Sequence, residues 1–573
     1  MKKIILFTLA SALAVSASAQ SWQDALLFSE NEYGGTARSV AMGNALTAVG
    51  GDLGSLGLNP AGSAVAGYSQ MTLTPALSFS VARATSDNPE LGYGDNVRTL
   101  YTRVKMPNLG VVANINTGRR HGLKRVSFGF LYNSTADYTG RMYATGINSS
   151  NSFSGAVASS AQGYPEDALS GANTKYGWWN LDDFSESYGL SWRDMVAYRS
   201  GIFGTVNGRY LGLTDWDKDG KNSGVLAPLF QKFGFQTKGY KNDLLFNVGF
   251  NHSDEFYWGV NVGITLMSYG QSEYWSEAPA NINEFPAIPF DSNPNARFQY
   301  LEMKRIFDAK GTGAYLKVGA LWRPADTGLR LGAAFQTPTV MNLDTRSAWY
   351  GKADVTGVSL PSAQSPEWDD AYTLITPSRF NAGVAYTFGS VALASVDYEV
   401  VNYRHNKFRS RSESGIYYPN SYFDNANADI RDVLGFSHSL RAGLEVNVLP
   451  GMAVRAGYSF TTGAQHNILK WEYNPEDGLD HLMVYALTPE ERAALVKHTV
   501  SAGLGFTSGA FFTDITFRYR SMPRQSFVTY TYYDYSGTDY TNKYESTNPS
   551  YAVPEVIATY NRFDAILTLG MRF

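Results

Sequence analysis

Residues 34–67 read GGTARSVAMGNALTAVGGDLGSLGLNPAGSAVAG, a stretch made almost wholly of small residues. Such a segment has little apolar surface to bury and cannot build a large core of its own. It can pack closely inside something else. The economical container is a β-barrel formed by the roughly 500 residues that follow, whose strand periods are counted below. Residues 36–48 have helix-compatible composition with a flat Ala/Val/Met face, and Gly50-Gly51 would stop that helix. Asn59-Pro60 forces extended or turn geometry before the chain enters the wall.

What precedes this stretch is an export signal. Lys2-Lys3 supply the positive start, and Ile4 to Val15 is an apolar run too short to span a bilayer. Ala17-Ser18-Ala19 forms a small-x-small cleavage site before Gln20, so residues 1–19 read as a signal peptide. With no cysteine in the chain, a diacylglyceryl anchor and disulfides are excluded. The 573 residues show no linker, no run of like charge and no mature stretch of 18 apolar residues. Aromatics make up 14%, and the net charge of -4 leaves no footprint for nucleic acid. These features fit an outer-membrane barrel and equally a large secreted β-protein.

Periodicity separates the two. At the end of the chain Phe563, Ala565, Leu567, Leu569, Met571 and Phe573 share one face, while Arg562, Asp564, Thr568 and Arg572 share the other. Similar runs place about fourteen strands of about ten residues near 71–82, 107–116, 125–133, 243–252, 256–268, 313–323, 328–337, 379–388, 391–403, 437–448, 452–462, 498–507, 511–520 and 562–573. The gaps between them alternate long and short. The largest, 134–242, carries scattered Trp, Tyr and Gly with no clear core period. An even number of strands with short turns at one end and long loops at the other predicts an all-β, 14-stranded antiparallel transmembrane barrel. Residues 20–70 form its N-terminal hatch, and 71–573 form the barrel with its outside loops.

The run Thr36-Ala37-Arg38 to Ala41-Met42-Gly43, then Gly51-Asp52, then Asn59-Pro60-Ala61-Gly62, resembles the hatch of the FadL/TodX family. The resemblance continues through Pro107 to Gly110, Gly313 to Pro324, Arg330 to Pro338, Thr376 to Arg379, Ser395 to Glu399, Leu440 to Glu445 and Val454 to Tyr458. It does not reach the long loops. It implies an outer-membrane protein of a Gram-negative cell that moves long-chain fatty acids or other hydrophobic molecules. It also implies lateral release through the wall when the hatch shifts, with Gly43, Asp52, Asn59, Pro60, Ala61 and Gly62 placing and gating that hatch. The final Phe573 implies handling by barrel assembly machinery, and membrane lipid and lipopolysaccharide would be the surroundings.

Alternation also puts charge inside the barrel: Lys317, Arg330, Asp397, Arg441, Glu445 and Arg455, with Asp514 and Arg518. Mixed charge in a narrow lumen most often ties the wall together as an ion-pair network. The functional reading is that one cation, Lys317 or Arg455, meets a fatty-acid carboxylate. Asp215, Asp217 and Asp219 open like a calcium loop and end in Gly220, but Leu226 stands where the bidentate Glu belongs. An acidic surface turn is the plainer account. The seven His, at 121, 252, 405, 438, 466, 481 and 498, form no tight metal pair. No cofactor is called for beyond that calcium candidate, and no nucleophile elbow, phosphate loop or zinc motif points to an enzyme. Residues 527–540, alternating aromatic and polar, extend the last hairpin and supply interfacial anchors, with an aromatic ligand platform as the other reading. An adhesive surface barrel whose loops bind a partner, and a channel for polar solutes, stay open as alternative functions; the oligomeric state is undetermined.

Overall fold

The two faces of the last strand are the two faces of a barrel wall. Phe563 and Leu569 are exposed, whereas Asp564, Ile566 and Thr568 are buried. The computed structural model describes residues 21–573 except 87, 90, 171–190, 207, 216–224, 291, 412–419, 475–478, 537–541 and 546–553. The export signal therefore lies outside the described residues, as do Asp217 and Asp219.

Fourteen strands close the wall: β1 (Gln70–Thr85), β2 (Val97–Asn116), β3 (Leu123–Asp137), β4 (Leu229–His252), β5 (Phe256–Pro279), β6 (Phe298–Trp322), β7 (Leu329–Gln336), β8 (Arg379–Phe388), β9 (Ala392–Asn402), β10 (Phe436–Leu449), β11 (Met452–Thr461), β12 (Lys497–Ser508), β13 (Phe511–Ser521) and β14 (Glu555–Arg572). Each pairs antiparallel with its sequence neighbour, and β14 returns to β1 through partners such as Thr72 with Gly570 and Phe79 with Phe563. All fourteen predicted strands are present. Closure removes the sheet edges except at one seam between β2 and β3, which meets the condition for a strand structure in lipid along the rest of the wall.

On β5 the outward residues Phe256, Trp258, Val260, Val262, Ile264 and Leu266 are apolar, and from Ser268 onward they turn polar. Eleven residues at a tilt near 40° rise about 25 Å, the height of a membrane band. The expected strand length of ten is too short for one side of the wall. Strands β4, β5 and β6 run 24, 24 and 25 residues. They continue beyond the band because their inner faces gain a second core to cover. Beside them Val340–Val355 and Trp368–Ile375 prolong β7 and β8 past Pro338 and Pro377, where a residue without an N–H interrupts the ladder.

The 134–242 segment is corrected accordingly. Gly140–Asn148 and the first half of β4 are wall, and between them helices Phe153–Ala161 and Trp192–Arg199 fold with the paired strands Phe203–Val206 and Arg209–Gly212 into a cap. Its core gathers Phe153, Phe233, Trp275, Val196 and Leu229. Phe153 stacks on Trp275 at 5.6 Å between centroids, and Trp275 on Trp349 at 5.8 Å. Phe527, Tyr530 and Tyr532 belong to this core, not to an interfacial belt, since the Tyr530 hydroxyl reaches Asn151 and Gln231 and that of Tyr532 reaches Ser152.

Candidate functional site

Residues 21–67 lie inside the barrel. Ser21 and Asp24 form a capping box at the start of helix α1 (Trp22–Ser29), and Phe28 packs inside among Tyr138, Tyr269 and Phe307. The expected helix over 36–48 shrinks to α2 (Ala37–Ala41), capped by Thr36. Gly43 and Asn44 then take positive φ, 62° and 58°, which turns the chain to follow the wall and ends the helix early.

The plug sits on small residues. A Cβ on Gly457 would come within 2.1 Å of the Gly43 nitrogen, and one on Gly443 within 2.5 Å of the Met42 oxygen. Gly319 meets the Asn59 carboxamide, Gly259 the Pro60 carbonyl, and Gly332 the Thr47 carbonyl at comparably short range. Glycines on wall strands β5, β6, β7, β10 and β11 therefore let the plug approach closely, and at four of these five positions the atom met is plug backbone.

Hydrogen bonds fix the register. Asn59 donates to the Thr47 and Ala320 carbonyls at 2.8 and 2.9 Å and accepts from the Ala61 N–H, so one carboxamide ties two plug turns to the wall. The Pro60 carbonyl accepts from Asn247, and Ala61 is buried with Tyr257 and Leu321. Asp52 accepts from Thr36 Oγ1 and the Gly54 N–H, while the Gly62 carbonyl accepts from the Gly51 N–H.

The lumen charges turn to the plug as well. Lys317 Nζ donates to the Gly57 carbonyl at 2.6 Å, Arg330 to that of Val49 at 2.8 Å, and Asp397 accepts from the Thr47 N–H at 2.7 Å. Arg441 pairs with Glu399 at 2.6 Å and lies over the Tyr33 ring. Glu445 is held by Arg455 at 2.5 Å and by both ends of the Arg38 guanidinium at 2.8 and 2.9 Å. Arg455 reaches Asp514 in turn. Alternation does not bring out Arg38; its distance in sequence from Glu445 hides the pair, and only its place in the hatch motif marks it. In this arrangement Lys317 and Arg455 are engaged with protein groups. A cavity of about 100 Å³ beside Tyr33 is lined by Glu32, Arg379, Glu399, Arg441, Lys497 and Arg520. It is polar and charged.

One seam of the wall differs from the rest. The β2–β3 ladder runs from Asn116 with Arg125 to Asn108 with Asn133 and stops there. Above it, among the described residues, β2 pairs with β1 alone. The plug takes up the vacated positions on β3: Glu32 N–H donates to the Thr135 carbonyl at 2.6 Å and Gly34 N–H to that of Ser134 at 2.7 Å. Side chains bridge what the backbone leaves open, with Arg103 on Asp137 at 2.6 Å and Arg562 on Asp137 at 3.2 Å.

Asp215 of the acidic loop is buried in the cap and accepts from Ser152 and Thr214 at 2.9 and 3.0 Å. Among the described residues no three acidic or His side chains converge on a metal-sized site.

No family model matches the chain, and no curated protein does. Solved structures do. A FadL homologue of Pseudomonas aeruginosa aligns over 95% of this chain and 99% of its own, with 12% identity and a TM-score of 0.48. By structure the chain is similar to the FadL/TodX barrels. The toluene transporter TodX of P. putida covers 94% and 99% at 10% identity and TM-score 0.46, and the toluene transporter TbuX of Ralstonia pickettii covers 94% and 98% at 12% and 0.43. The barrel described above rests on its own closed strand pairing.

Proposed function

We propose that this barrel carries hydrophobic small molecules, long-chain fatty acids or similar, across the outer membrane of a Gram-negative cell. The observation that carries the reading is the seam. Where β2 and β3 part, the wall is completed by plug backbone from Glu32 to Gly34 and by side chains. A shift of the plug breaks a few hydrogen bonds and uncovers a lateral way out, while the rest of the ladder stays paired. An apolar solute leaving there meets membrane and avoids the charged lumen. The hatch motif supports the same reading, and Gly43, Asp52 and Asn59 to Gly62 are the residues that seat the moving part. Residues 1–19 would be removed on export.

The test is native mass spectrometry with lipid extraction on protein purified in mild detergent. A bound fatty acid or hydrocarbon, or saturable binding of added oleate, is the expected result. An empty barrel that binds no apolar ligand and instead conducts ions steadily in planar bilayers would replace this reading with a polar channel.

A further inference from the structure

Above the apolar band, the outward face of the tall wall carries an ordered row of tyrosines and cations. The row runs across Gly140–Asn148, β4, β5, β6 and Val340–Val355. Tyr274, Lys304 and Tyr350 are direct cross-strand partners, and Gly234 stands opposite both Tyr143 and Tyr274. Lys232 Nζ lies 4.7 Å from the Tyr143 ring and 5.6 Å from that of Tyr274, and Lys304 Nζ lies 5.9 Å from that of Tyr350. Arg141 lies over Tyr143 at 4.8 Å. Beside the row, Lys352 faces Tyr300, whose hydroxyl joins that of Tyr274 at 2.6 Å. Among the described residues Arg141, Lys232, Lys304 and Lys352 have no carboxylate within ion-pair distance, although three acids flank them: Glu302 opposite Lys352, Asp354 opposite Tyr300, and Asp95 on Thr145, the cross-strand partner of Lys232.

We propose that this face binds the phosphorylated sugar core of an outer-leaflet glycolipid. Tyrosines offer amphipathic ring faces to sugar rings, and lysine and arginine offer donors to phosphate. The height fits. Tyr274 lies eight residues beyond Leu266, where the continuous apolar outward run of β5 ends, or about 20 Å above the band at a 40° tilt. The face looks sideways along the membrane, where glycolipid is the neighbour a barrel meets first. The chain as a whole is acidic, at -4, yet this row is cationic, so the charge is local and complementary to phosphate. Lower down, Arg83 and Arg98 sit directly opposite each other on β1 and β2, exposed and just above the outward Val81 and Leu100, with no acid within ion-pair distance among the described residues. Like charges facing across a ladder are unfavourable without an anion between them, and this is the level of lipid phosphate.

The test uses the full-length barrel in detergent and measures binding of lipopolysaccharide with its phosphates intact, beside the same material after phosphatase treatment. The variants are Lys232→Glu with Lys304→Glu, Tyr274→Ala, and, as control, Arg119→Glu in the short turn between β2 and β3 at the other end of the barrel. Heat-modifiable gel migration confirms that each barrel is folded. The expected result is binding that weakens at least tenfold in the double-charge variant, weakens in Tyr274→Ala, falls with dephosphorylation and with salt, and is unchanged in the control. Equal binding by wild type and the double variant would overturn the proposal, as would indifference to phosphate. So would a wild-type protein that binds no glycolipid but holds an acidic protein at this face.

Discussion

Gly457 shows how little room the plug leaves. An added methyl would lie 2.1 Å from the Gly43 nitrogen, and Gly43 itself sits 2.9 Å, by the same measure, from the Ala442 carbonyl. Both partners are backbone and cannot rotate away. Gly457→Ala is expected to lift the plug off β11 without unfolding the wall, seen as faster hydrogen exchange over residues 41–45 and as raised conductance in planar bilayers. Arg38 tests the same seat by charge. Arg38→Ala removes a two-pronged pair but leaves Glu445 its Arg455 partner, so the loss should be about 1–3 kcal/mol of local plug stability rather than the full cost of an abandoned buried ion. Limited proteolysis of the plug should accelerate while the melting of the barrel stays close to wild type.

At the scale of elements, the cap is set apart by its buried acids. Glu277 accepts from the Phe153 N–H and from Gln231, both at 2.6 Å, in the cap core well above the membrane band. Burial outweighs those donors and pushes its carboxyl up to about 7, with the Asp215 charge adding to the rise. Asp215 is pushed up to about 6, again by burial. Folded cap thus holds protons that the unfolded chain gives up at ordinary carboxylate values. The resulting stability is fully present only below the ordinary carboxylate range and is lost as pH rises through about 6 for Asp215 and about 7 for Glu277. The cap should resist protease better at pH 5 than at pH 8, and Glu277→Gln should flatten that difference. The cap was also the least legible part of the sequence. Phe153, Phe233, Trp275, Trp349 and Phe527 come from five separate segments, so no single window shows a core. The wall strands were legible because each declares two faces over ten residues. Their upper halves were not, since above the band the outward residues become polar and the inward ones mix apolar and polar.

For the whole molecule, the fold is a wall around a plug built largely from the small-residue stretch 34–67. Composition and export suggested a barrel; alternation supplied the strand count. The hatch motif gave the place of Asn59 and Asp52 but not what they touch, because Thr47, Ala320 and Thr36 come near only once the chain is folded. The inward charges were legible as a set. Their engagement with plug carbonyls and N–H groups was not, since alternation fixes a face and says nothing about what lies opposite.

In the proposed mechanism the plug moves away from β3 for solute to pass. Ser63 in the plug and Ser127 on β3 bring their hydroxyls to 2.7 Å, and the chain has no cysteine to interfere. Ser63→Cys with Ser127→Cys should therefore oxidise to a disulfide that pins the plug with little distortion. Uptake of labelled oleate by cells carrying this double variant should be lost when the bond forms and restored by reductant, with each single variant behaving as wild type. Uptake that proceeds undiminished through the oxidised protein would contradict the account.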